Sequence, residues 1–278
     1  MMKYKIALCQ ISSSPDKGEN MEKARRYVES AAKGGAGVVC LPEMWNCPYD
    51  NACFRPYAED EDGTSARFLS ELAKTNGVCL IGGSIPESQG DLLYNTSFIF
   101  GPDGRLLKKH RKVHLFDIDV KGGIRFKESD TLSAGDSLTV VDTEFGRIGV
   151  AICYDVRFPK MFAAMARMGA HLMVLPAAFN MTTGPAHWEL LLRARALDNQ
   201  VYVAACSPAR DTEAKYRAYG HSCVVNPWGE LCGAAAAEET LVFGDIDVGY
   251  MERVRSELPI GVQAKEHVYR TDDPKETD

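Results

Sequence analysis

An α/β protein is predicted, and three observations predict it. Short apolar runs alternate with amphipathic segments from one end of the sequence to the other; glycines stand where amphipathic segments end; and no Pro/Ser/Gly-rich linker interrupts the pattern. The 278 residues are therefore read as one domain spanning 1–278, with 260–278 as a polar C-terminal tail.

The elements follow in order. Tyr4 to Gln10 reads as a strand. Asn20 offers a helix N-cap, Met21, Ala24, Val28 and Ala31 share one helical face, and Gly34-Gly35 stops the helix before the buried strand Val38 to Leu41. Thr64 to Asn76 is a second helix, with Phe68, Leu69, Leu72 and Ala73 inward and Gly77 closing it before the strand Val78 to Gly82. Tyr94 to Phe100 and Arg105 to Lys109 flank the turn Gly101-Pro102-Asp103-Gly104, a hairpin signal. Leu138 to Val141 and Arg147 to Ile152 form another hairpin across Glu144-Phe145-Gly146. A helix near Pro159 to Met168, a strand His171 to Leu175 and a long helix around Pro185 to Asn199 follow, with His187 and Trp188 as packing residues on the last. Val201 to Cys206, Tyr219 to Asn226 and Leu241 to Asp245 complete the strands.

Composition excludes several classes of function. With 45% hydrophobic and 25% charged residues, the chain is an ordinary globular protein, not a disordered one. Its net charge of −6, with scattered basic residues, argues against nucleic acid as a partner. No apolar run approaches the roughly 20 residues needed to cross a bilayer, and the amino terminus lacks the apolar core of a secretory signal. Nine cysteines at irregular spacing, with no C-x-x-C pair, argue for reduced thiols in a cytoplasmic setting. The six histidines do not fall into ligand spacings with them, so no metal is expected.

Three residues stand out chemically. In Gly149 to Pro159, GVAICYDVRFP, an apolar strand ends in Cys153 and a helix begins after Pro159. That corner exposes a nucleophile at the carboxyl edge of a sheet, although a lone cysteine is more often a buried apolar core residue. Glu43 follows the buried run Val39 to Pro42, and Lys112 follows the first hairpin. Together they supply a base, a cation and a thiol. A free thiol is mostly protonated at neutral pH, so a cysteine hydrolase needs a neighbouring base or cation. With its pKa lifted by apolar walls and a second carboxylate, Glu43 can take the thiol proton and return it to leaving ammonia, while Lys112 compensates the oxyanion.

LPEMW around Glu43, HRKVHLF around Lys112 and ICYDVRFP around Cys153 resemble, in the same order, the three motifs of the Glu-Lys-Cys triad in the nitrilase (carbon-nitrogen hydrolase) superfamily. The resemblance runs to about Pro259; one small departure is Ala134, where members often carry proline, and larger ones lie at the carboxyl end, where LPIGVQAKEHVYRTDD is only loosely similar to the family's dimer-associated tail. It implies a four-layer α-β-β-α sandwich, a homodimer in which residues 260–278 take part, no cofactor and no metal. It also implies that Glu128 is a second active-site glutamate, which positions the substrate amide and keeps Glu43 and Lys112 in their working protonation states. The backbone N–H of Tyr154 is the implied oxyanion partner of Lys112. Tyr-Asp after Cys153 is similar to the amidase branches, and TTGPAHWELL and DNQVYVAACSPAR are similar to the ω-amidase branch, whose members hydrolyse α-ketoglutaramate and α-ketosuccinamate. A sister amidase acting on deaminated glutathione or N-carbamoyl compounds, and a non-catalytic interaction protein of the same fold, are the other readings. An anionic small-molecule amide needs a fixed cation; Arg157 can be that clamp, or the partner of Asp155 or Glu128. Tyr49, Phe179, Asn180 and Thr182 are the remaining candidates for the pocket wall.

Overall fold

The computed structural model describes residues 2–269. Strand β1 (Lys3–Gln10) is followed by α1 (Lys17–Lys33), β2 (Val38–Cys40), α2 (Asn51–Tyr57), α3 (Thr64–Asn76), β3 (Cys79–Ile81), β4 (Ile85–Gln89), β5 (Leu92–Phe100) and β6 (Leu106–Arg111). A small hairpin, β7 (Asp117–Asp119) and β8 (Arg125–Lys127), leads to β9 (Thr139–Thr143), β10 (Gly146–Val150), α4 (Pro159–Arg167), β11 (Leu172–Pro176) and α5 (Gly184–Asn199). Then come β12 (Tyr202–Cys206), β13 (Cys223–Val225), β14 (Leu231–Ala234), β15 (Thr240–Asp247), α6 (Val248–Glu257), α7 (Ile260–Gln263) and α8 (Glu266–Tyr269).

Two sheets form. One runs β15-β1-β2-β3-β5-β4 with β6 also on β5; the other runs β14-β13-β12-β11-β10-β9. The two-residue period of a strand explains how they stack. In β1, Ala7 and Cys9 face α1 and α3, joining Ala24, Val28, Leu69 and Leu72 in one apolar cluster. Ile6 and Leu8 face the other way and meet Ile148, Val150, Leu172 and Val174 of the second sheet. The second sheet's far face, with Met173 and Leu175, is covered by Phe162 and Met165 of α4 and Leu192 and Ala196 of α5. Three apolar layers between four structural layers give the expected α-β-β-α sandwich. Because both faces of each sheet are covered, the central strands read as continuous apolar runs.

Several expectations need correction. Helix α1 starts earlier than the Asn20 signal: Asp16 caps it by accepting from Glu19 N, while Asn20 is buried inside the first turns and exchanges two 2.7 Å bonds with the Ser14 backbone. Competition between local hydrogen-bonding partners decides which polar residue becomes the cap. Strand β13 covers only the last part of the expected Tyr219 to Asn226 run. The β15 strand joins the first sheet, antiparallel to β1 from Lys3↔Asp247 to Gln10↔Thr240, so the chain returns to its beginning. Strand β4, the β7–β8 hairpin and helix α2 had no clear sequence signal. Of the tail 260–278, residues 270–278 lie outside those described.

One glycine is dictated by the site. Gly83 has φ +60°, and a Cβ there would lie 2.2 Å from Pro42 O and 2.8 Å from Trp45 Cδ1, against the segment that carries Glu43. Gly83→Ala is expected to destabilise the fold by about 2–4 kcal/mol and to lower the activity that survives; chemical unfolding and turnover on the same preparation check both.

Candidate active site

Glu43 lies on the loop leaving β2 and is turned inward by its neighbours. Met44 adopts a left-handed conformation, φ 51°, and donates its N–H to Ser84 Oγ at 3.1 Å; Trp45 Nε1 donates to Gly82 O at 2.8 Å. Lys112 is the first residue past β6. Its N–H donates to Asn95 O at 2.9 Å and its carbonyl accepts from Gly135 N at 2.8 Å. Glu128 opens a single 3-10 turn after β8. All three side chains are buried.

Cys153 follows β10 and begins the 3-10 turn Cys153–Arg157 with φ 45°, a left-handed conformation that a non-glycine residue adopts only when its surroundings impose it. Asp155 imposes it. Its buried carboxylate accepts from Ile152 N at 3.0 Å and His114 N at 2.9 Å, and meets the rings of His114 and His110 at 2.7 and 3.2 Å. A carboxylate only accepts, so both facing ring nitrogens carry protons. Burial raises the Asp155 pKa, but the bonds from His110 and His114 outweigh it and hold it far below the usual carboxylate range. From α5, Arg195 Nε donates to Val156 O at 2.8 Å and holds the far end of the turn.

The ammonium of Lys112 stands between two carboxylates. Nζ lies 2.9 Å from Glu43 Oε1 and 2.8 Å from Glu128 Oε2, with none of the three side chains exposed. Burial opposes the charge on Lys112, yet Glu128 and Glu43 together raise its pKa well above the ordinary value, so it stays protonated. Glu128 also accepts from Tyr49 Oη and Phe116 N, each at 2.7 Å. For Glu43, burial raises the pKa, Lys112 opposes this and Glu128 adds to it, for a net rise. Asn95 Nδ2 at 2.8 Å and Lys112 share Glu43 Oε1, while Oε2 is buried without a hydrogen-bond partner among the described residues.

Cys153 and Glu43 perturb one another directly. Burial and then Glu43 push the thiol well above its ordinary range, against Lys112 and the N–H of Ala178, which favour the thiolate. Burial and neighbouring charge thus favour the protonated forms of both the Cys153 thiol and the Glu43 carboxyl.

The remaining candidates divide. Arg157 contacts neither Asp155 nor Glu128. Its guanidinium sits 3.3 Å from His187 Nδ1 and over the rings of Phe179 and Tyr154, with Nε buried and unpartnered among the described residues. His187 is therefore an exposed partner of Arg157, not a packing residue, whereas Trp188 does pack, with Phe179. Asn180 is buried; its Oδ1 accepts from the N–H groups of Thr182 and Thr183, and its Nδ2 has no partner among the described residues. Thr182 is exposed, against the Gly123 end of the β7–β8 hairpin. A cavity of about 440 Å³ is lined by Glu43, Met44, Tyr49, Ala178, Lys215 and Tyr216, among others. Asn95, Tyr216 and the two histidines escaped sequence reading. His110, Lys112 and His114 alternate, a spacing that puts them on one face and could have revealed the histidines. Among the described residues no group of three or more His, Cys, Asp or Glu side chains is placed to hold a metal ion, and all nine cysteines are free.

Because the folded Asp155 pKa is depressed, its stabilising contribution is complete above the unfolded value of about 3.9 and is lost as pH falls below it. Asp155→Asn should therefore flatten the loss of stability on acidification relative to wild type. Urea unfolding across a pH series measures the difference; parallel curves would contradict this role.

Residues 5–256 match the carbon-nitrogen hydrolase family. The chain is 53% identical over 275 residues to omega-amidase NIT2-B of Xenopus laevis, covering 99% of this chain and 100% of that one. It is 51% identical over 269 residues to omega-amidase NIT2 of Homo sapiens, covering 97% and 98%. Among solved structures, Saccharomyces cerevisiae Nit3, a member of branch 10 of the nitrilase superfamily, superposes with a TM-score of 0.88 at 44% identity, covering 95% of this chain and 96% of that one. The chain belongs to the carbon-nitrogen hydrolase family and is a hydrolase of carbon-nitrogen bonds.

Proposed function

We propose that this chain is an ω-amidase, releasing ammonia from monoamides of short dicarboxylic acids such as α-ketoglutaramate and α-ketosuccinamate. The observation that carries the reading is the buried Lys112 ammonium between Glu43 and Glu128, with Glu43 and Cys153 acting directly on one another and Glu43 Oε2 without a hydrogen-bond partner among the described residues. The extended identity to relatives named omega-amidase supports this substrate class over a sister amidase.

In the first half-reaction Glu43 takes the thiol proton as the Cys153 sulfur attacks the amide carbon, and the carbonyl electrons move onto oxygen. The Lys112 ammonium and the N–H of Tyr154, one residue past the sulfur, compensate that oxyanion. Collapse breaks the carbon-nitrogen bond as Glu43 returns the proton to nitrogen, and ammonia leaves a thioester. Glu43 then deprotonates water as it attacks the thioester, and the proton returns to the departing sulfur. Glu128 keeps Lys112 charged and orients the substrate amide. The unpartnered donors Arg157 Nε and Asn180 Nδ2, on either side of Phe179 in the sequence, suit the distant carboxylate. Tyr49 and Thr182 complete the wall. We further propose one domain over 1–278, a homodimer and a cytoplasmic location; among the described residues no helix is long and apolar enough to cross a membrane.

Cys153→Ala should abolish ammonia release from α-ketoglutaramate while leaving the unfolding curve within about 1 kcal/mol of wild type; retained turnover would sink the reading. Arg157→Met should raise KM for monoamides carrying a carboxylate about tenfold more than for neutral amides of equal length, and equal losses on both would contradict the clamp. Since Glu43 must be ionised to accept the proton and its pKa is raised, kcat/KM should fall on the acid side with a midpoint above the ordinary carboxylate range, read from a pH-rate profile.

A further inference from the structure

We propose that Tyr216 is a positioning residue for the nucleophile, its hydroxyl fixing the Ala178 backbone beside the turn that Cys153 opens. The inference rests on Cys153 being the nucleophile.

Tyr216 Oη donates to Ala178 O at 2.5 Å; the parallel register of β10 and β11, ending at Val150↔Val174, carries the segment with Ala178 alongside the turn that Cys153 opens, and the Ala178 N–H is among the groups that favour the thiolate. Ala178 lies two residues beyond the end of β11, where the strand ladder no longer holds it. Its neighbour Ala177 is still tied by an N–H bond to Cys206 O at 2.9 Å; the Ala178 carbonyl is held by the Tyr216 hydroxyl. The tyrosine is itself firmly placed. Its ring lies on Tyr49, with centroids 4.4 Å apart, and Tyr49 donates to Glu128 at 2.7 Å. Lys215 reaches Asp50 at 2.5 Å, Ala218 bridges to Asn180, and Tyr219 N donates to Phe179 O at 2.6 Å.

Tyr216 therefore touches both halves of the site: the Tyr49–Glu128–Lys112 side, carried by the first sheet and its hairpin, and the Ala178–Cys153 side, carried by the second. Thiolate character develops twice per turnover, when Glu43 removes the proton and when the thioester collapses. In a buried site a backbone donor aimed at sulfur stabilises that charge only while it stays aligned. A hydroxyl that holds the next carbonyl keeps it aligned.

The test uses the full chain and Tyr216→Phe, which keeps the ring and its stack on Tyr49 but lacks the oxygen. Iodoacetamide labelling is followed by peptide mass mapping across a pH series, beside steady-state kinetics with α-ketoglutaramate. In the variant, labelling of Cys153 at neutral pH should slow about five- to tenfold, with its pH midpoint shifted upward; kcat should fall by a similar factor and KM should change less than about twofold. Hydrogen exchange over residues 177–179 should quicken, a readout that does not need activity. Unchanged labelling midpoint, kcat and exchange in Tyr216→Phe would overturn the proposal. Absence of label from Cys153 in the wild type would instead remove the premise, which keeps the two failures distinguishable.

Discussion

One buried ammonium between two carboxylates is the interaction on which the rest of this molecule depends. Lys112, Glu43 and Glu128 have no exposed side-chain surface, and removing such charges from water costs several kcal/mol per ion unless partners replace the lost hydration. The protein supplies those partners almost completely. Lys112 has both carboxylates, Glu128 has Tyr49 and the Phe116 amide, and one oxygen of Glu43 has Asn95. The exception among the described residues is Glu43 Oε2. With both carboxylates ionised the group would carry one net negative charge out of water; a proton on Glu43 cancels it. That is the physical reason burial raises the Glu43 pKa despite the adjacent ammonium.

The cysteine obeys the same logic from the other side. Its environment disfavours the thiolate, because burial and Glu43 outweigh Lys112 and the Ala178 amide. A thiol that ionised at rest would place a second anion beside Glu43. In the proposed mechanism the proton passes from sulfur to carboxylate during attack, so two anions need not coexist. The left-handed turn at Cys153 serves this geometry, and the Asp155 contacts with His110 and His114 offset its strain. Those histidines flank Lys112 in the chain, so a single segment positions the ammonium and braces the turn that Cys153 opens.

The two sheets divide the labour. Glu43 and Lys112 leave strands of the first, Glu128 follows the small hairpin beyond it, and Cys153 and Ala178 leave strands of the second. Their alignment is set by the apolar layer between the sheets, where Ile6, Leu8 and Val38 meet Ile148, Val150 and Val174. Close-packed interiors resist sliding, so this layer holds Glu43, Lys112 and Cys153 in register. The return of β15 to pair with β1 along its whole length ties the late part of the chain to the first sheet.

The alternating apolar runs of the sequence determined the strands and the main helices, since a two-residue or 3.6-residue period fixes which face is buried regardless of what buries it. Glu43 and Cys153 each follow an apolar run and Lys112 follows a hairpin, in motifs whose order resembles a known family, and the structure brings Glu43, Lys112 and Glu128 together. What sequence left open was pairing. It could not say that Asp155 would take two histidines and leave Arg157 to His187, that Oε2 of Glu43 would stay bare, or that Tyr216 would reach Ala178. Those outcomes depend on distances between residues dozens of positions apart, and such distances exist only once two sheets have closed over a shared core.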